Sequence, residues 1–337
     1  FSYMCAENDP MQRRLRSAFD RFVDVHDKSD LEVARLARDM DIDVAVDMSG
    51  LTQGCRPGIF ALRAAPVQAS YLGYPSTMGA DCMDYLIADK TLIPEESRRH
   101  YSEKIVYLPH SYMVYDTALK PSGRQFTRAE LQLPANGFVF CCFNNQYKLN
   151  PRCFGAWMRL LRAVSDSVLW LSAGNPDVLA NLRAQAQRAG VDADRLVFAG
   201  RTPSFADHLA RHAAADLFVD TLPYNAHTTA MDALWAGLPV LTHMGASFAG
   251  RAAASMLNAM ALPELIAHSQ EEYEAKAIAL ATDAGRLREI KAKLAAKRST
   301  TPLFNAPLYA RHFMSALQAM HGRYQGGHAP DHIEIAV

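Results

Sequence analysis

The sequence predicts an α/β fold with two sheet domains and a helical C-terminal segment. Three observations carry that expectation. From Phe138 to Gly245, short apolar runs alternate with segments of helical period. Runs such as "FVFCC", "VLWL" and "LFV" are apolar without interruption, as parallel strands covered on both faces should be. At 337 residues the chain also exceeds the roughly 250 at which one core stops growing.

In chain order, "IDVAVDMSG" reads as the first strong strand signal, "IFALRAAP" as a helix fragment and "VQASYLGYP" as a strand ending in turn residues. "DYLIAD" and "KIVYLP" are further short strands. Pro, Gly and polar residues then break the pattern over "DTALKPSGRQFTRAELQLPANG", a linker signature. After it "FVFCCFNN" is a strand, "PRCFGAWMRLLRAV" a helix opened by Pro151, "SVLWLSAG" a strand, and "DVLANLRAQAQRAG" a helix closed by Gly190. "RLVFAG", "FADHLARHAAA", "DLFVDT", a helix from Met231 to Ala236 and "PVLTHMG" continue the beat. Three helical stretches close the chain, the last with Tyr309, Phe313, Leu317 and Met320 on one face. The expected organisation is a partial first lobe over 1–116, a linker over 117–136, a second lobe over 137–300, and a C-terminal helix and tail over 301–337.

Composition narrows the function classes. Lys plus Arg and Asp plus Glu balance at 35 each, so no basic excess points to nucleic acid or an anionic membrane. Cys5, Cys55, Cys82, Cys141, Cys142 and Cys153 form no C-x-x-C pair, and several sit in apolar runs as small core residues. No stretch nears the roughly 20 apolar residues of a membrane span and no signal peptide opens the chain, so a cytoplasmic setting is expected. The start at Phe1 reads as a piece of a longer protein.

In open parallel sheets, ligands bind beyond the carboxyl ends of the strands. Two polar clusters fall there. "PYNAHTTAMDAL" follows the strand "DLFVDT" and opens a helix; Thr229 and Asp232 match a capping box, while His227 and Thr228 exceed what a cap requires. A helix N-terminus presents free amides and partial positive charge, a ready seat for phosphate. "CCFNNQYKLNP" places Asn144, Asn145 and Lys148 after the preceding strand, and an ammonium suits phosphate oxygens. A solvated loop lysine is the plainer reading, but two such features on one sheet edge suggest a diphosphate. His208, Arg211 and His212 lie on one helix; with no H-E-x-x-H glutamate a metal is disfavoured, and either base stacking or an exposed face suits them. Asp39, Asp41 and Asp43, and Asp192 and Asp194, form Asp-x-Asp strings that precede their strands, which makes them turn and capping residues. No P-loop, G-x-G-x-x-G or G-x-S-x-G occurs.

Together, "GLTQGCRPGIFALRAAPVQASYLGYPSTMGADCMDYLIAD", "FNNQYKLNP", "SVLWLSAG", "YNAHTTAMDALWAGLPVLT", "FAGRAAASML", "TPLFN" and "APDH" resemble the catalytic region of the O-linked N-acetylglucosamine transferases, glycosyltransferase family 41. The resemblance implies two Rossmann-like lobes (the GT-B arrangement), tetratricopeptide repeats preceding them, and metal-free, cofactor-free, inverting transfer of N-acetylglucosamine from UDP-GlcNAc to Ser and Thr hydroxyls of acceptor proteins. It implies that Lys148 contacts the diphosphate, that His227, Thr228 and Thr229 hold the phosphates, and that Asp232 lies near the ribose. His208 would lie against the uracil with Arg211 on its edge, and Leu72, Gly73 and Tyr224 would border the sugar, with Asn145 also on the donor. The family has Gln at Asn145, and its Gly-Asn-His segment has no counterpart here and would precede Phe1. An Ala- and Arg-rich style points to a bacterial homologue. The rival readings are a GDP-fucose-dependent O-fucosyltransferase, which His227 disfavours; a two-lobed epimerase, which lacks its carboxylate pair; and a non-catalytic nucleotide-sugar-binding module.

Overall fold

The computed structural model describes residues 1–3 and 10–337, so Cys5 lies outside the described residues. The chain forms two compact units. The first comprises Phe1–Ile87, Arg98–Val106 and Ser315–Ile333, and the second Ala88–Ser97, Tyr107–Met314 and Glu334–Val337.

The first unit opens with helices α1 (Pro10–Ala18) and α2 (Asp30–Asp39). Ser29 caps α2 in a complete capping box with Glu32, satisfying two amides that a helix end leaves free. There follow β1 (Val44–Asp47), α3 (Gly58–Ala61), β2 (Val67–Ser70), β3 (Tyr85–Ala88) and β4 (Lys104–Tyr107). With β11 (Ile333–Glu334) they form a sheet of order β1-β2-β3-β4-β11, in which Val44 faces Val67 in parallel register. Val33, Ala34 and Ala37 of α2 bury against Ile59 and Ala64.

The second unit alternates as its periodicity demands. Its strands are β5 (Phe138–Cys142), β6 (Ser167–Ser172), β7 (Leu196–Ala199), β8 (Leu217–Val219), β9 (Val240–His243) and β10 (Ile266–Ala267). Its helices are α4 (Pro151–Ala163), α5 (Pro176–Arg188), α6 (Phe205–Arg211), α7 (Thr228–Ala236), α8 (Ala252–Ala259), α9 (Gln270–Thr282) and α10 (Ala284–Lys297). The last helix, α11 (Ala306–Gln325), begins in the second unit and ends in the first. Asn150 caps α4 by accepting the Cys153 amide at 3.1 Å, and Pro151 occupies the first turn, where no amide partner is lost. α4 buries Phe154, Trp157, Leu160 and Leu161 on one face. Trp157, Trp170, Phe140 and Phe218 fill the core.

The second sheet has the order β10-β9-β8-β5-β6-β7, and its paired strands are all parallel. Counted from β5, this is the 3-2-1-4-5-6 order of a doubly wound Rossmann fold. Connections leave β5 toward β6 and β8 toward β9, in opposite directions. The crevice at the carboxyl ends of β5 and β8 is therefore the topological switch point, where such sheets bind ligands.

Residues 117–136 contain neither helix nor strand; Ser122 ties them to α6 through the Ala206 carbonyl and Asp207. Three α-helices had no forecast in the sequence pattern: α1, α2 and α8. α7 begins at Thr228, three residues before its apolar period starts.

Gly137 opens β5 with φ +99°, and a Cβ there would come within 1.9 Å of the Asp166 carbonyl oxygen. Gly137→Ala is expected to lower stability by more than about 2 kcal/mol, read as a lower urea midpoint at unchanged m.

Candidate functional site

Beyond β5 the chain passes through Asn144 and Asn145 into one 3-10 turn, Gln146–Lys148. Asn145 is exposed and caps that turn, its Oδ1 accepting the Tyr147 amide at 3.4 Å. Asn144 is buried. Its Nδ2 donates to Thr221 Oγ1 at 2.7 Å and Asp220 Oδ1 at 3.2 Å, and its Oδ1 accepts the Thr229 hydroxyl. One amide side chain thus joins the end of β5, the end of β8 and the first turn of α7.

Asp220, the residue after β8, is 3% exposed and anchors the loop that follows. Its Oδ1 accepts the amides of Thr221 and Ala226, both at 2.7 Å, and its Oδ2 accepts Thr242 Oγ1 at 2.7 Å. Burial nevertheless lifts its pKa to about 6, and nearby Lys148 opposes the rise. Thr221 Oγ1 closes the loop on the Tyr224 carbonyl at 2.6 Å, and Asn225 Nδ2 reaches the Thr221 carbonyl at 2.7 Å. Leu222–Pro223 is cis. The segment delivering α7 is therefore fixed at nearly every residue.

Lys148 Nζ donates to the Asn225 carbonyl at 2.8 Å and sits 4.0 Å from the Tyr224 ring centroid, a cation–π contact. Burial lowers its pKa, and Asp220 partly restores it. The Tyr224 ring lies 5.2 Å from that of His227. Burial first, and Lys148 second, push His227 down to about 3, so its imidazole is neutral at physiological pH. Its Nδ1 lies 3.0 Å from the Tyr112 hydroxyl; its Nε2 is buried without a well-aligned hydrogen bond, and the Ala249 carbonyl nearby favours the protonated ring.

The capping box expected of Thr229 and Asp232 does not form. His227 occupies the N-cap position and its side chain does not cap. Thr229 spends its hydroxyl on Asn144, and Asp232 accepts the Tyr115 hydroxyl at 2.9 Å, burial raising the carboxyl to about 6. The first helical hydrogen bonds run to the His227 carbonyl from Ala230 and Met231, and no acceptor among the described residues takes the amides of Thr228 and Thr229. Two free donors at a positive helix end, one ammonium and one unpaired imidazole nitrogen share this corner. Such a corner takes an anionic oxygen.

A cavity of about 740 Å³ opens beyond β6 and β7, lined by Gly174, Gly200, Thr202, Phe205, His208 and Arg211 among others. Arg211 is 6% exposed; it donates to the Gly200 carbonyl at 2.7 Å and lies 4.3 Å from the Phe143 ring centroid. No carboxylate among the described residues pairs with it, and its Nε has no partner. His208 Nδ1 approaches Arg211 Nη2 at 2.6 Å, and burial with that guanidinium lowers the ring to about 4. His212 turns inward, its Nδ1 on the His208 carbonyl at 2.9 Å. A planar ring and a cation with spare donors on one cavity wall suit a flat, acceptor-edged ligand.

Lys148, Tyr224, His227, Thr228 and Thr229 therefore come together; His208 and Arg211 form the adjoining cavity; Asn145 serves as a turn cap. Leu72 and Gly73 belong to the first unit, after β2. Leu72 has φ +67°, and a Cβ at Gly73 would meet the Met48 carbonyl oxygen at 2.0 Å, so glycine alone fits. Asp192 caps the turn before β7 by accepting the Asp194 amide at 3.0 Å, and Asp43, just before β1, lies 3.3 Å from His321. Sequence reasoning passed over Asp220, Thr221, Tyr112 and Tyr115. Asp220 had a signal, a carboxylate immediately after a buried strand; the tyrosines had none.

Comparison with known proteins gives the family. The profile described as Glycosyl transferase family 41 matches residues 1–120 and 123–313. The chain belongs to glycosyltransferase family 41. Among family relatives, the probable UDP-N-acetylglucosamine–peptide N-acetylglucosaminyltransferase SEC of Arabidopsis thaliana is 34% identical, over 99% of this chain and 35% of its own length. The UDP-N-acetylglucosamine–peptide N-acetylglucosaminyltransferase of Caenorhabditis elegans is 27% identical, over 99% of this chain and 39% of its own. The chain thus spans between a third and two fifths of the length of these relatives. A Thermobaculum terrenum O-GlcNAc transferase mutant superposes with a TM-score of 0.85 at 33% identity, covering 93% of this chain and 59% of that one. The family 41 chain accordingly has the α/β, two-lobed GT-B fold.

Asp232 provides a pH test. Its folded pKa of about 6 exceeds the ordinary 3.8, so its contribution to stability is fully present below 3.8 and is lost as pH rises through 6. Asp232→Asn keeps the acceptor for Tyr115 and removes the titration. Between pH 4 and 6.5 the urea stability of this variant is expected to gain on the parent by on the order of 1 kcal/mol per pH unit.

Proposed function

We propose that the chain is the catalytic part of a protein O-GlcNAc transferase that moves N-acetylglucosamine from UDP-GlcNAc to Ser and Thr hydroxyls of acceptor proteins, inverting the anomeric centre without a metal or other cofactor. The observation that carries the reading is the meeting of Lys148, His227 and the unfilled amides of Thr228 and Thr229 at the switch point between β5 and β8. Lys148 and the α7 terminus hold the diphosphate. The cavity at His208 and Arg211 receives the uracil, Arg211 bonding its edge. Asp232 lies toward the ribose, and Tyr224 borders the sugar.

The chemistry follows from charge. Cleaving the sugar–phosphate bond leaves an additional negative charge on UDP, while the acceptor oxygen attacks the opposite face of the anomeric carbon. Donors fixed before the reaction stabilise that charge without reorganising, and only stabilisation that grows toward the transition state raises the rate. Lys148, already desolvated and held by the Asn225 carbonyl, fits this role. The proposal sets the reaction in the cytoplasm, in keeping with the free thiols of Cys55, Cys82, Cys141, Cys142 and Cys153.

In the intact protein, Lys148→Ala is expected to lower transfer from UDP-GlcNAc to an acceptor peptide by about 10²–10³ or more while the circular dichroism spectrum and melting temperature stay at parental values. GDP-fucose is expected not to be turned over. Undiminished turnover by Lys148→Ala would remove the lysine from the mechanism, and turnover of GDP-fucose alone would replace the donor.

A further inference from the structure

We propose that Tyr112 is a positioning residue of this site: its hydroxyl holds His227 as the Nε2–H tautomer, which makes that nitrogen a hydrogen-bond donor for an anionic oxygen at the head of α7. The inference rests on the reading of that helix end as a phosphate seat.

Three observations converge on it. The Tyr112 hydroxyl lies 3.0 Å from His227 Nδ1, with the two rings edge to face. His227 Nε2 is buried without a well-aligned hydrogen bond among the described residues, and the Ala249 carbonyl beside the ring favours a proton there as well. Tyr112 itself is fully buried and clamped. Its amide donates to Asp89 Oδ2 at 2.9 Å, its carbonyl accepts the Tyr309 hydroxyl at 2.7 Å, and its ring packs edge-on against Phe248 at 5.3 Å. Asp89 is held in turn by Ser255 and the Leu92 amide. The backbone of Tyr112 and the face of its ring are thus held where the phenol meets the imidazole.

A neutral imidazole carries one N–H, and the bond made by one nitrogen decides the state of the other. Burial and Lys148 keep this ring neutral. When the phenol donates to Nδ1, the proton resides on Nε2. The opposite tautomer would present a lone pair at Nε2, which repels a phosphate oxygen and draws on the same ammonium and amide donors that an anion needs. A phenol is the better donor of the two groups, and its donation completes a set of donors around one anion. Tyr112 reaches His227 from 115 residues away, so its part in the site is invisible in the loop sequence itself.

The test is nitrogen-15 NMR of histidine-labelled intact protein, with the His227 signals assigned by their loss in His227→Gln. The parent is expected to show a protonated Nε2 and an unprotonated Nδ1 across pH 6–8. Tyr112→Phe keeps the buried ring and is expected to shift His227 toward the Nδ1–H form and to weaken UDP binding about 3- to 10-fold by calorimetry. Tyr309→Phe, which removes a phenol bond to the Tyr112 carbonyl, is expected to leave the tautomer unchanged, which separates positioning from general loosening. An Nδ1–H tautomer in the parent overturns the proposal without recourse to any variant, as does an unaltered tautomer in Tyr112→Phe. Absence of UDP binding by the parent would instead overturn the phosphate-seat reading, since the tautomer is read without ligand.

Discussion

The second lobe depends on the hydrogen bonds that Asn144 makes across the switch point. β5 and β8 are neighbours whose chains depart in opposite directions, so side chains must tie the two ends together, Lys148 and Asn150 on the Asn225 and Leu222 carbonyls among them. Asn144 does so with one amide, donating to Asp220 and Thr221 and accepting from Thr229. Asp220 then holds the loop up to Ala226, and the loop carries His227 and starts α7. A buried polar network of this kind is worthwhile only when its members are satisfied, because each orphaned group costs about 1–3 kcal/mol. Nearly all of these are satisfied. The exceptions include Nε2 of His227, and the Thr228 and Thr229 amides beside it are likewise free.

Electrostatics reinforce that division. His208, His212 and His227 are each driven far below the ordinary histidine value by burial, so positive charge here comes from Lys148 and Arg211, with Arg201 also on the cavity wall. Neither is neutralised by a direct ion pair: Lys148 contacts a carbonyl and a ring, and Arg211 a carbonyl, a histidine and two aromatic faces. Burial lifts Asp220 and Asp232 to about 6, and Asp220 still acts on Lys148 across space, each favouring the charged form of the other. Two positive charges without a direct ion pair among the described residues leave this corner of the second unit prepared for an anionic guest.

The alternation of β5 to β9 with their helices was legible because a parallel sheet buried on both faces leaves its strands uniformly apolar and its helices amphipathic. α8 escaped because its "AAASMLNA" is small and apolar all round, so it has no stripe to read. α2 escaped despite a true capping box at Ser29 and Glu32, while the same pattern at Thr229 and Asp232 was read as a box and is not one. The motif is local but its use is not: a hydroxyl and a carboxylate that find tertiary partners are unavailable to the helix end. Lys148, His227 and the threonines could be singled out from sequence because each lies in the segment that follows a buried strand. Tyr112 and Tyr115 could not, since they meet α7 from 115 and 117 residues away.

A crystal structure of the intact protein with UDP measures the central claim directly. Diphosphate oxygens are expected within about 2.7–3.2 Å of the Thr228 and Thr229 amides and of Lys148 Nζ, with the base in the cavity beside His208 and Arg211. UDP bound with its phosphates at another strand end, and those amides still unfilled, would contradict it.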